Sequence, residues 1–296
     1  MSNKNLQLLQ ALKNKGKNIE AEMSFFEHIE VLRWHIIRSV VAIIVFATLA
    51  FAFNDFIFHE VIMGPKKVDF WTYRMMCKVG ELFHLDGFCV DKIPFELIST
   101  AMAGQFMIQI NSSLLMALAL GFPYLLFEIW LFVKPALTDI EQKSARGFVF
   151  YATILFVIGM LFGYYIVVPL SVNFLANVSL SDEITNQITI DSYLSTIATL
   201  TMGCGAVFLL PILIFILSKL GLMTPQFMRA SRRYAVVIIL IIAAVITPTA
   251  DIITLLTVSA PMFILYELSI MVSANVKKNK EKAERDYYTN DTPLNT

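Results

Sequence analysis

The side chains with chemical potential in this 296-residue chain are acids set beside apolar stretches. Three of them lie in Pro123–Arg146, PYLLFEIWLFVKPALTDIEQKSAR, around which the chain is organised. Glu128 falls inside an apolar run that should end at Lys134-Pro135, because Pro135 has no N–H to donate and biases Lys134 out of helical geometry. Thr138-Asp139-Ile140-Glu141 then has the form of a capping box, with the Glu141 carboxylate reaching back to the Thr138 amide as a new helix opens. Ser24-Phe25-Phe26-Glu27 repeats that form before the first apolar run. Acids so placed cap helices and hold cations. No Walker A, HExxH or GxSxG pattern is present, and no two carboxylates are paired where a reaction would be shielded. The residues therefore argue against an enzyme and call for neither a cofactor nor a metal.

The elements that must position these acids are membrane helices. The chain is 57% hydrophobic and 16% charged, with mean hydropathy +0.68, whereas a soluble domain carries about 25% charged residues. A net charge of zero offers no bulk attraction to nucleic acid. Residues 1–23 read as a polar extension without the apolar core of a cleavable signal peptide. Six apolar stretches follow within 24–273, near 35–53, 112–133, 148–169, 195–220, 234–247 and 252–273. Each approaches the ~20 residues that a span needs, except the fifth, which covers only ~21 Å at ~1.5 Å per residue. Either that helix starts earlier, at Arg232–Arg233, or the bilayer thins around it. Gly221 suits the end of the fourth helix, and Thr224-Pro225 the start of the next. Residues 274–296 read as a charged tail, disordered in part.

Lys and Arg fix the orientation. With the N-terminus inside, 18 of the 23 fall in the extension, the loops 134–147 and 219–233, the tail and the inner ends of the spans. The loop 54–111 keeps the other five and the loop 170–194 has none. Both termini are thus predicted to be cytoplasmic. Cys77 and Cys89 both fall in the external loop 54–111, where oxidation is permitted, and are predicted to form a disulfide.

Inside the spans, Arg38, Glu128 and Glu267 lie near the inner edge. They either pair and snorkel or line a polar cavity open to the cytoplasm. The third, fourth and fifth spans carry no ionisable group at mid-depth, which counts against a secondary transporter of a small solute, the rival from another class. Pro123, Pro211 and Pro261 should bend their helices. Gly159 and Gly163, with Gly203 and Gly205, read as packing surfaces.

Phe127–Lys143, FEIWLFVKPALTDIEQK, resembles the first cytoplasmic loop of the TatC family, the polytopic subunit of the twin-arginine (Sec-independent) protein translocase. His28–Arg33 resembles its amino-terminal His-Leu-x-Glu-Leu-Arg. Leu220–Pro225 and Arg232-Arg233-Tyr234 resemble its second cytoplasmic loop, Ile246–Asp251 the turn between its last spans, and Pro261–Glu267 its final helix. The resemblance runs in order from Ser24 to Ser273. It implies an all-α integral membrane protein of six transmembrane helices in the bacterial inner membrane, with both termini cytoplasmic. It also implies a receptor and core subunit that exports folded proteins on the proton-motive force, likewise without a cofactor.

By resemblance, Glu141, with Glu30 or Glu27, binds the arginines of signal peptides, with Phe132 and Leu137 shaping the groove and His28 and Arg33 forming the amino-terminal wall. Guanidinium beside carboxylate gives charge-assisted, bidentate bonds that lysine does not reproduce. The implied partners are twin-arginine signal peptides and small single-span subunits of TatA and TatB type, in a larger complex holding several copies of this chain. Pro123, Pro135, Pro211, Asp251 and Glu267 take structural or partner-contact roles, and Asp251 is equally a helix N-cap. Three positions depart from the family pattern. Val31 stands where the family has Glu, leaving Glu30 or Glu27 to substitute. Leu209 and Leu255 stand where many relatives carry polar residues, which points to apolar packing against partners.

Overall fold

The computed structural model describes residues 25–83, 89, 93–134, 147–178, 187–219, 221, 223–248 and 251–290. Helix α1 is Phe25–Ala52 and is followed by tight helical turns over 54–66. Next come α2 (Trp71–Phe83), the strand β1 (Glu96–Ile98) and α3 (Gly104–Val133). Then α4 (Phe148–Phe162) passes through a π-helical turn at Gly163–Val167 into α5 (Val168–Asn177). The strand β2 (Gln187–Thr189), α6 (Ile190–Val207), α7 (Leu210–Lys219) and α8 (Pro225–Ala230) precede α9 (Arg232–Ile246) and α10 (Ile252–Asn290).

Among the described residues, five stretches are long and apolar enough to cross a membrane: 29–52, 104–133, 149–177, 190–218 and 252–279. The fifth sequence stretch lies within α9, which does begin at Arg232, as one of the two alternatives required, yet has only 15 residues. Several bounds differ from the sequence reading. α3 starts at Gly104, inside the segment read as loop 54–111. Its polar first turns are stabilised by local and cross-helix bonds. Ser112 and Ser113 donate to the Gln109 carbonyl, and Ser112 also donates to Asn54 on the neighbouring turn at 3.0 Å. The tail is helical as far as Asn290, with Lys277 and Glu281 paired one turn apart. A three-residue parallel ladder, Leu97 opposite Ile188, is the one strand pairing among the described residues.

α1 packs most extensively on α3, α4 on α6, and α7 and α9 on α10. The seam between α4 and α6 depends on glycine. A Cβ at Gly159 would fall 2.7 Å from the Phe208 Cβ and 2.8 Å from the Cys204 carbonyl, and one at Gly163 would fall 2.9 Å from the Leu200 carbonyl. These helices therefore approach as small-residue faces do. Helices α3 and α10 continue through Pro123 and Pro261, whereas Pro211 follows a break at Phe208–Leu209 that separates α6 from α7. Gly221 takes φ +75°, and Thr224 caps α8 by accepting from the Phe227 amide. Both match the sequence expectation.

Helix alternation gives the bundle two ends. The cap end gathers α2, the ladder and the turns at 57–66. The hinge end gathers the start of α1, the end of α3, α8 and the start of α9.

Candidate functional site

At the hinge end the site is built on the contact of α1 with α3. Glu128 lies one helical turn before Phe132, six residues from the end of α3 counting itself, and is only 3% exposed. A buried carboxylate must have its lone pairs satisfied, and here both oxygens are used. His35 of α1 donates from Nδ1 to Oε2 at 2.5 Å. Tyr124, one turn back on α3, donates to Oε1 at 2.7 Å. Arg38, one turn further along α1, adds a cationic charge close enough to act on Glu128. Phe132 continues the same face of α3, and its ring stands edge-on to His35 with centroids 6.3 Å apart.

The predicted site residues divide into three groups. Phe132 is half-buried against α1. Glu30 and Arg33 are exposed on α1. The backbone of Glu27 and His28 belongs to α1. Pro135, Leu137 and Glu141, with the capping box at 138–141, lie outside the described residues, as do the extension 1–23 and the Ser24 cap. In α1, positions 27, 31 and 35 follow one another at four-residue spacing and share one face. Position 30 lies ~140° round the helix from 35 at ~100° per residue. Residue spacing had marked Glu128, but His35 was read only as the start of a span. A histidine 93 positions away in sequence gives no local signal of being its partner.

The remaining predicted residues hold the frame. Glu267 of α10 accepts from Arg232 of α9 at 2.7 Å, an exposed ion pair. Asp251 accepts from the Thr254 amide at 2.6 Å and so caps α10. Leu255 packs on the main core. Cys77 and Cys89 are joined by a disulfide. They and Glu81 come within 4.8 Å of one another, but oxidised sulfur supplies no thiolate for a metal. A cavity of about 570 Å³ at the cap end is lined by Asn54, Leu97, Gln105 and Gln109 among others, with no charged side chain among its described lining. The chemistry is at the opposite end, in a hydrogen-bonded acid, a histidine and an aromatic that join two helices.

Residues 27–261 match the family model described as Sec-independent protein translocase protein (TatC). The Sec-independent protein translocase protein TatC of Blattabacterium sp. subsp. Periplaneta americana is 38% identical over 266 residues, spanning 89% of this chain and all of that protein. Its counterpart in Carboxydothermus hydrogenoformans is 30% identical over 89% of this chain and 98% of its own. Among solved structures, the crystal structure of the twin arginine translocase receptor TatC superposes with a TM-score of 0.62 at 28% identity, covering 85% of this chain and 100% of that one.

Proposed function

This chain belongs to the TatC family, and from that premise we propose how it works as the receptor and core subunit of a twin-arginine protein translocase. It is a helical membrane protein that acts with the other subunits of that translocase. Our reading is that it crosses the bacterial inner membrane six times, α9 being the short fifth span, with both termini in the cytoplasm. The distribution of Lys and Arg supports this. The hinge end then faces the cytoplasm, where the arginines of a signal peptide first arrive. Export draws on the proton-motive force, and the partners are small single-span subunits of the TatA/TatB type.

The observation that carries the site assignment is the junction of Phe132, Glu128 and His35. It ties α1, which carries Glu27 and Glu30, to the end of α3, the helix that precedes the segment of Glu141 in the sequence. Glu141, in the segment that follows Lys134, supplies one carboxylate. Glu27 supplies the second in preference to Glu30, because position 27 shares the helix face of Val31 and His35. Phe132 and Leu137 form the apolar floor, and His28 and Arg33 form the amino-terminal wall. Two carboxylates at a water–lipid boundary accept bidentate bonds from guanidinium, which lysine cannot match.

Export of a twin-arginine reporter tests this assignment. Glu141→Gln should abolish most export and Glu27→Gln should reduce it more than Glu30→Gln. Crosslinks from the arginine region of a signal peptide should map to residues 27–33 and 134–143. Unchanged export with Glu141→Gln would remove the site.

A further inference from the structure

We propose that α2 is a membrane-interfacial helix whose Trp71, Met75, Val79 and Leu82 stripe rests in the headgroup region of the leaflet at the cap end, against phospholipid. These four residues lie four, four and three positions apart, which puts them on one helix face. They are 52%, 41%, 42% and 76% exposed, so the described residues leave this face open. The arc on one side of the stripe is packed on the protein: Thr72, Tyr73 and Gly80 are buried there. The arc on the other side is exposed and charged, with Arg74, Lys78 and Glu81. The helix surface is thus divided among protein, water and an apolar third that neither of these accounts for.

Continuity with the spanning helices identifies the third environment. Trp71 stands edge-on to Tyr165, centroids 6.2 Å apart, and Thr72 donates to the Tyr165 carbonyl. Tyr165 lies in the stretch 149–177 and is 38% exposed, and Ile158 and Leu161 of that stretch are each 50% exposed. The stripe therefore runs on from the apolar band that a bilayer covers. Trp and Tyr are the residues enriched at the level where hydrocarbon gives way to headgroups. Lys78 and Arg74 border the stripe on its wet side and can reach lipid phosphates. A helix of this kind buries its apolar face ~5–10 Å into the headgroup–acyl boundary. A span of a partner subunit would instead run across the membrane and meet those two cations in the apolar zone, so phospholipid is the occupant the arrangement favours.

The test uses the full chain in vesicles of phosphatidylethanolamine and phosphatidylglycerol. With Trp34→Phe and Trp130→Phe, Trp71 is the sole indole. Its emission should be largely lost when the lipids are brominated high on the acyl chains, should be less affected by deep bromines, and should resist aqueous iodide. A nitroxide on Leu82→Cys gives a second reading that leaves the packed indole Trp130 intact, the other thiols being oxidised or buried. It should collide with oxygen more than with an aqueous nickel chelate. Full access of both probes to iodide and the chelate would place the stripe in water and overturn the proposal. So would probes shielded from lipid and water alike, which would show a protein partner on this face.

Discussion

The two ends of the bundle are held by different means. At the cap end, tyrosine hydroxyls close the structure on backbone carbonyls. Tyr73 donates to Pro65 and Pro169 at 3.0 and 3.1 Å, Tyr164 to Val61 at 2.6 Å, and Tyr193 to Ile62 at 3.0 Å. The Cys77–Cys89 disulfide fastens α2 to the chain that follows it. At the hinge end, charged and polar side-chain pairs do most of the joining: His35 with Glu128, Arg232 with Glu267, and Ser218 with Ser273 at 2.8 Å. Beside them stands a tyrosine-to-carbonyl bond from Tyr266 to Met228 at 2.9 Å. The difference teaches where rigidity and adaptability are placed. Carbonyl–hydroxyl bonds fix backbone to backbone-bearing helices, whereas contacts between charged side chains are open to competition from an arriving charged ligand.

Four experiments would break or sharpen that contrast. The largest loss of stability should come from Cys77→Ser with Cys89→Ser, which releases a loop of sequence separation 12. About 3 kcal/mol is expected from the chain-entropy relation, read as a lowered thermal midpoint in detergent, with signal-peptide crosslinking at the hinge end unchanged. Glu128→Ala comes next, since it leaves the half-buried His35 without its acceptor, a cost of about 1–3 kcal/mol. It should also weaken crosslinking to 27–33, while Glu128→Gln, which keeps an acceptor, should retain most of both.

Tyr73→Phe should cost about 1 kcal/mol by removing a hydroxyl that serves two carbonyls. It also carries a pH signature. Burial pushes the Tyr73 phenol above its ordinary value. A group raised on folding contributes stability in full below its unfolded value of ~10 and loses it as pH rises beyond. The wild type should therefore weaken in alkali above that point more steeply than Tyr73→Phe. The smallest effect belongs to Arg232→Ala. Its pair with Glu267 is about half exposed on both sides, 53% and 47%, and such pairs contribute ~0–1 kcal/mol. A large loss there would mean that the hinge end is as rigid as the cap.

Much of the fold was legible because its causes are local. Thr224-Pro225 and Gly221 announced the stop of α7 and the start of α8 by backbone chemistry that involves only near neighbours. Gly159 and Gly163 announced a close helix approach through their spacing, though not that Phe208 and Leu200 would meet them. Boundaries were less legible where polar residues continue a helix past its apolar core, as in the first turns of α3 and the extension of α10 beyond Ser273. The site was half-visible. Glu128 was conspicuous as an acid in an apolar run, but His35 was not identifiable as its partner.

The sequence by itself determined the helical membrane architecture, the caps and breaks, and the cysteines available for a bridge, because periodicity, composition and turn chemistry act over a few residues. Only the tertiary structure decided that His35 meets Glu128, that Tyr193 locks onto Ile62, 131 positions away, and that the Trp71 face of α2 is left uncovered. Those outcomes depend on which helices lie side by side, a choice set by the summed packing of all of them.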